Sequence, residues 1–150
     1  MVQPVDPAAF DRHPLPDGND PDDVAAALEA VWRAHDGTSA TDACDQLLWA
    51  VGDNDAGTFH PVVLAVLPHL GQVLEKAGPW AQHAAIEALI DLAGTFAPAE
   101  GHETHEGQAV REAVRAFVKT LRPRLVGIAQ AADGRSNGAS ELLELIDDLE

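Results

Sequence analysis

The chain has 150 residues, long enough for one domain with a core and too short for two independent ones. Hydrophobic residues make up 46%, which excludes an intrinsically disordered chain, and a mix rich in Ala and Leu but lacking Tyr favours helices over strands. Lys+Arg 9 against Asp+Glu 25 gives a formal charge of −16, a field that repels phosphate backbones, argues against nucleic-acid binding and favours basic partners.

The opening Met1-Val2-Gln3-Pro4 shows no basic or apolar leader, and no apolar run approaches bilayer length. The expectation is a cytoplasmic protein with no membrane contact. Four prolines (Pro4, Pro7, Pro14, Pro16) and the run Asp17-Gly18-Asn19-Asp20 predict an extended arm over 1–20. A single helical domain is expected over 21–150. Asp20-Pro21-Asp22-Asp23 opens its first helix with a cap, a first-turn proline and carboxylates at the positive end. Val24, Leu28, Val31, Trp32 and His35 recur at helical spacing until Gly37.

The second helix is expected from Ser39 or Thr41, with Cys44, Leu47, Leu48 and Val51 on one face and Gly52 as its stop. Cys44 is alone, so no internal disulfide forms, and a small core residue is its expected role. Residues 53–60 are turn-rich. A third helix from Pro61 carries Val62, Val63, Val66, Leu67, Leu70, Val73 and Leu74, with a kink expected at Pro68. Gly78-Pro79 breaks the chain and starts a fourth, buried through Ala85, Leu89 and Leu92. A polar loop spans 97–107. The fifth helix runs from Val110 to Ile128 through Pro123, and after the loop Asp133–Gly138 a short sixth carries Leu142, Leu143, Leu145, Ile146 and Leu149. No segment alternates as a strand does. The class is all-α.

The six expected helices fall into three antiparallel pairs, about 21–51, 61–94 and 108–149. Leu67-Pro68-His69-Leu70, then Gly78-Pro79-Trp80, then Ala84-Ala85-Ile86-Glu87-Ala88-Leu89-Ile90-Asp91-Leu92 resemble a HEAT-type repeat over 61–94. That pattern is a proline-kinked first helix, a tight turn and an A-A-x-x-A-L-x-x-L second helix. The segment departs from it by lacking the turn Asp and the Arg that opens the second helix; Gln82 and His83 stand near the latter's place. The resemblance implies a short HEAT-like α-solenoid, with an irregular helical bundle as the alternative.

Charge is distributed unevenly. Arg111, Arg115, Lys119 and Arg122 line one side of the fifth helix, either as a solvated face pairing with acids or as a small anion contact. On the second helix Trp49 shares a side with Asp42 and Asp45; on the fourth Trp80 shares one with Glu87 and Asp91. In a stack of helix pairs the second helices line one common surface. Two indoles among carboxylates there would suit a basic protein, aromatic anchors supplying hot spots and acids steering the encounter.

Catalytic motifs are scarce. Asp53-Asn54-Asp55-Ala56-Gly57 resembles a calcium loop, but Leu64 stands where the bidentate Glu is required and the Gly is one place off. His102 and His105 would gather a metal only if helical, and His60, His69 and His83 only if packing joined two of them. No nucleophile elbow, phosphate loop, dinucleotide fingerprint or H-E-x-x-H occurs. No enzyme, cofactor or metal site is therefore expected. The expected function is protein binding, in the manner of small acidic HEAT-like immunity or neutralising proteins that cover a basic surface such as a toxin's. Asp42, Asp45, Trp49, Asp53, Asp55, Trp80, His83, Glu87 and Asp91 are its candidate contact residues. A scaffold or adaptor subunit and, behind it, a histidine-based metal enzyme are the alternatives.

Overall fold

The computed structural model describes residues 4–131 and 135–149; residues 1–3 of the arm, 132–134 of the last loop and residue 150 lie outside the described residues. Its helices are α1 (Pro21–Arg33), α2 (Gly37–Val51), α3 (Val63–Lys76), α4 (Pro79–Ala93), α5 (Val110–Thr120), α6 (Arg122–Ala129) and α7 (Arg135–Asp148). The chain is mainly helical, in the all-α class. Two-residue strands, too short to show alternation in sequence, tie the connections. Strand β1 (Gly52–Asp53) pairs antiparallel with β2 (Thr58–Phe59), which pairs parallel with β3 (Ala97–Pro98); β4 (Thr104–His105) pairs antiparallel with β5 (Gln108–Ala109).

Local chemistry sets the helix ends. Asp20 and Asp23 form the capping box that opens α1. Helix α2 begins earlier than Ser39 or Thr41 because Asp36 is its cap, accepting from Ser39 N at 2.7 Å while Ser39 Oγ accepts from Asp36 N at 3.1 Å. Pro68 stays inside a continuous α3, on its exposed side. Pro123 does not: the fifth helix expected from Val110 to Ile128 is two helices, parted at Leu121, and Pro123 occupies the first turn of α6, where a missing N–H costs nothing. The expected loop at Arg135–Gly138 is instead the first turn of α7.

The arm is neither wholly extended nor detached. Pro7–Phe10 forms one 3-10 turn capped by Asp6, and Phe10 is fully buried against α1 and α3, its ring 5.6 Å from that of His69. Further along, Pro14 O accepts from Val62 N at 3.1 Å. Asn19 Nδ2 donates to Trp49 O and Ala50 O at 2.9 and 3.1 Å, satisfying two of the last carbonyls of α2.

Helix α4 is the centre of the core. Ala81, Ala84, Ala85, Ile86, Ala88, Leu89, Leu92 and Ala93 bury nearly its whole circumference. It lies between α2 and α7 and backs onto α1, α3 and α5; α1 also packs on α2, and α6 on α7. Gln82 Nε2 donates to Leu74 O at 3.0 Å, joining the first turn of α4 to the last turn of α3. A methyl placed on Gly37 would touch the Trp80 indole at 3.9 Å, so α2 and α4 start side by side. One on Gly138 would meet Ile86 at 3.2 Å and one on Gly94 would meet Leu145 at 3.4 Å, so α7 runs parallel to α4 as well.

Candidate functional site: a carboxylate wall on three parallel helices

Spacing of four places His83, Glu87 and Asp91 in a row along one face of α4. Facing them across a cleft of about 330 Å³ are Ala40, Thr41, Cys44 and Asp45 of α2. Glu141, from α7, acts electrostatically on both Glu87 and Asp91. Gly138 allows that approach, since a side chain there would press on Ile86 and Glu87.

These carboxylates are partly desolvated and mutually repulsive. Burial raises Glu87 above its ordinary value; Glu141 and Asp91 add to this, and His83 opposes it from 3.9 Å. Asp91 is raised by burial, then by Asp45 and Glu141. His83 turns its ring edge to Trp80 at 5.6 Å, and its Nδ1 is buried with no hydrogen-bond partner among the described residues. Cys44 lies at the floor of the cleft, where burial and then Asp91, Asp45 and Glu87 push its thiol up to about 12. It is therefore a neutral packing residue. In the folded chain at pH 8, a thiol reagent is expected to label Cys44 no faster than the chain unfolds, and rapid labelling of native protein would contradict this environment.

Of the nine candidate contact residues, Asp45, His83, Glu87 and Asp91 converge on this cleft. Asp42 is exposed on α2 outside it. Asp53 caps the β1–β2 turn, accepting from Asp55 N and Ala56 N at 3.0 Å each, and Asp55 is exposed on the same turn. Trp80 is half-buried against Gly37 and His83. Trp49 is 45% exposed and lines a different cavity, of about 590 Å³, with Asn19, Asp53, His60, Glu100 and His102. The two indoles thus do not emerge together. Trp49 stands twelve positions along α2 from Gly37, about 18 Å at the helical rise.

Glu141 was legible as an acid on the last helix, but its place on this wall depends on the packing of α7 against α4. The histidines group otherwise than the metal alternative requires. His60, His69 and His83 do not meet: His60 faces His102 at 4.6 Å, His69 packs on Phe10, and His83 on Trp80. His105 faces His13 at 4.9 Å rather than joining His102. Among the described residues no group of three His, Cys, Asp or Glu side chains is placed to hold a metal ion. In the basic stripe, Arg115 Nε donates to Ala93 O at 3.3 Å at the end of α4, and Arg122 pairs with Asp147 of α7 at 2.9 Å. No described helix is long and apolar enough to cross a membrane. No protein-family model matches the chain, and neither a curated protein nor a solved structure matches it.

Proposed function

We propose that the chain is a non-enzymatic protein-binding module built as a short HEAT-like α-solenoid, in which three antiparallel helix pairs stack so that α2, α4 and α7 line one surface. The packing of α2 on α4 and of α4 on α7, all three parallel, supports this build. Its partner is a protein with a basic surface. The chain covers that surface as an immunity or neutralising protein covers a toxin, presenting carboxylates where phosphates would sit.

One observation carries this reading: Asp45, Glu87, Asp91 and Glu141 converge from three helices although their proximity is unfavourable to the chain itself. Glu87 and Asp91 resist ionisation in the folded state, so their ionised forms detract from stability as pH rises through the carboxylate range, and protonation restores it as pH falls. A basic partner removes that penalty on binding. A site whose charges cost the free chain stability fits a role in binding.

The pair of changes Glu87→Gln and Asp91→Asn is therefore expected to stabilise the free chain at pH 7, by less than about 1 kcal/mol because both groups are half exposed and screened. The partner, recovered by affinity capture on the intact chain and purified, is expected to bind this variant about tenfold more weakly at low salt, and to bind the unaltered chain more weakly as salt rises. Binding that is indifferent to both would overturn the reading. It would favour the adaptor alternative, which has an observation of its own: a groove of about 480 Å³ between α3 and α5–α6, where Gly71, Phe117 and Leu121 lie beside Glu75 and Arg124.

A further inference from the structure

Four of the seven histidines meet in two pairs, and both pairs tie one loop to separate parts of the chain. His102 and His105 lie on the loop that bears β4 and β5. His105, Glu106, Gly107 and Gln108 make its tight turn, with φ of 51° at Glu106 and 80° at Gly107, the positive pair that a two-residue hairpin turn requires. Opposite His105 stands His13 of the arm, ring to ring at 4.9 Å with 37° between planes. Opposite His102 stands His60, at 4.6 Å and 47°, just after β2 and held by its backbone N–H to Val51 O at 2.8 Å.

Backbone hydrogen bonds fasten this loop at its root, where Ala97 N donates to Gly57 O and Ala99 N to Phe59 O. Beyond the root the hydrogen bonds among the described residues are internal: His102 N to Ala99 O, Gly101 N to the Glu103 carboxylate, and Val110 N to Glu103 O. Val110, buried where β5 runs into α5, fastens the other end, and between these two anchors the ring pairs join the hairpin to the arm and to the residue after β2. We infer that they form a proton-operated latch, which keeps the β4–β5 hairpin docked on the arm and on the residue after β2 while the imidazoles are neutral, and releases it when they are protonated.

The physical basis is direct. Neutral imidazoles at these separations make favourable ring contacts, whereas two imidazolium ions less than 5 Å apart repel in a partly dry setting. Nδ1 of His13 and of His60 is buried with no hydrogen-bond partner among the described residues, so a proton gained there has no acceptor. Carboxylates oppose the release. Glu106 faces His13, Asp17 faces His60, Glu103 neighbours His102, and Asp53 and Glu100 line the cavity beside the second pair. Burial outweighs them: it lowers His13 and His60 below their ordinary 6.5, and the facing histidine lowers each further. A histidine lowered on docking stabilises the docked form fully above 6.5, and that contribution is lost as pH falls below it. Release of the His60–His102 pair would open the cavity that holds Trp49.

Amide exchange on the full chain tests the latch. Once corrected for intrinsic pH dependence, the amides of 101–110 are expected to exchange about tenfold faster at pH 5.5 than at pH 7.5, while those of α2 and α4 hold their protection. His102→Gln with His105→Gln should abolish the pH dependence of that segment. Because an altered loop could settle differently, imidazole resonances of the unaltered chain supply a second measurement: His13 and His60 are expected to titrate below 6.5, in step with the loop. Protection of 101–110 that stays constant from pH 7.5 to 5.5, or histidines that titrate while the loop remains docked, would overturn the inference.

Discussion

Phe10→Ala is expected to destabilise the chain by about 3–4 kcal/mol, the usual cost of deleting a fully buried aromatic ring. Against the stability of an ordinary domain, about 5–15 kcal/mol, that is a large share. The ring is inaccessible to solvent, contacts α1 and α3 through its 3-10 turn, and lies 5.6 Å from the His69 ring. No other described residue of the arm buries as large a side chain; Val5 is the next, with its N–H donating to Glu29 at 3.3 Å. The loss should show in urea unfolding and as new proteolytic cleavage after Arg12. The exposed neighbour Asp11→Ala should be nearly silent by both measurements. A loss below about 1 kcal/mol in Phe10→Ala would mean that the arm is an appendage rather than part of the core.

Gly52→Ala is the second large effect expected, at about 2–3 kcal/mol. The backbone there is extended, φ −175°, so the objection to a side chain is steric rather than conformational. An added Cβ would run into the carbonyl oxygen of Thr58 and lie 2.7 Å from Phe59 Cα. Both are backbone atoms, and no rotamer change can move them. Relief requires β1 and β2 to part, which also weakens the neighbour of β3 and the hydrogen bond from His60 N to Val51 O. Faster exchange of the His60 amide together with a lower melting temperature is the expected pattern. Gly78→Ala, where nothing lies within 4 Å, should change neither by much.

Those two residues also show what sequence reading can and cannot reach. Periodicity located the helices well, because Val24, Leu28 and Val31 or Leu67, Leu70 and Leu74 repeat at a spacing that only one secondary structure satisfies. Ends were harder. Gly52 reads equally as a helix stop and as a point of close strand approach, and Asp36 became a cap only because Ser39 answers it. Pro68 and Pro123 are the same residue with opposite outcomes: one sits inside a continuous α3, the other in the first turn of α6. Phe10 sits in a proline-rich stretch with no period, so nothing local announced that it would reach the core.

The wall of α2, α4 and α7 was half legible. Helical spacing alone aligns His83, Glu87 and Asp91, and it correctly turns Asp45 away from Leu47 and Leu48. It is silent about longitudinal offset between helices, which is why Trp49 and Trp80 read as one surface although Trp49 lies near the end of α2 and Trp80, on α4, beside its start. It is equally silent about contacts between distant segments. The pairing of His13 with His105 and of His60 with His102 spans 92 and 42 positions of chain.

The common direction of α2, α4 and α7 has an electrostatic corollary. Each helix carries a macrodipole with about half a negative charge at its C-terminus, and three helices that finish on the same edge add those partial charges rather than cancel them. Arg115 at Ala93 O and Arg122 at Asp147 offset those charges at the ends of α4 and α7, so the gradient is steepest at the end of α2 beside Trp49, where the neutral Asn19 amide meets the last carbonyls. A cationic molecule approaching this face would meet a slope as well as a sign, and the slope sets which way round it lands.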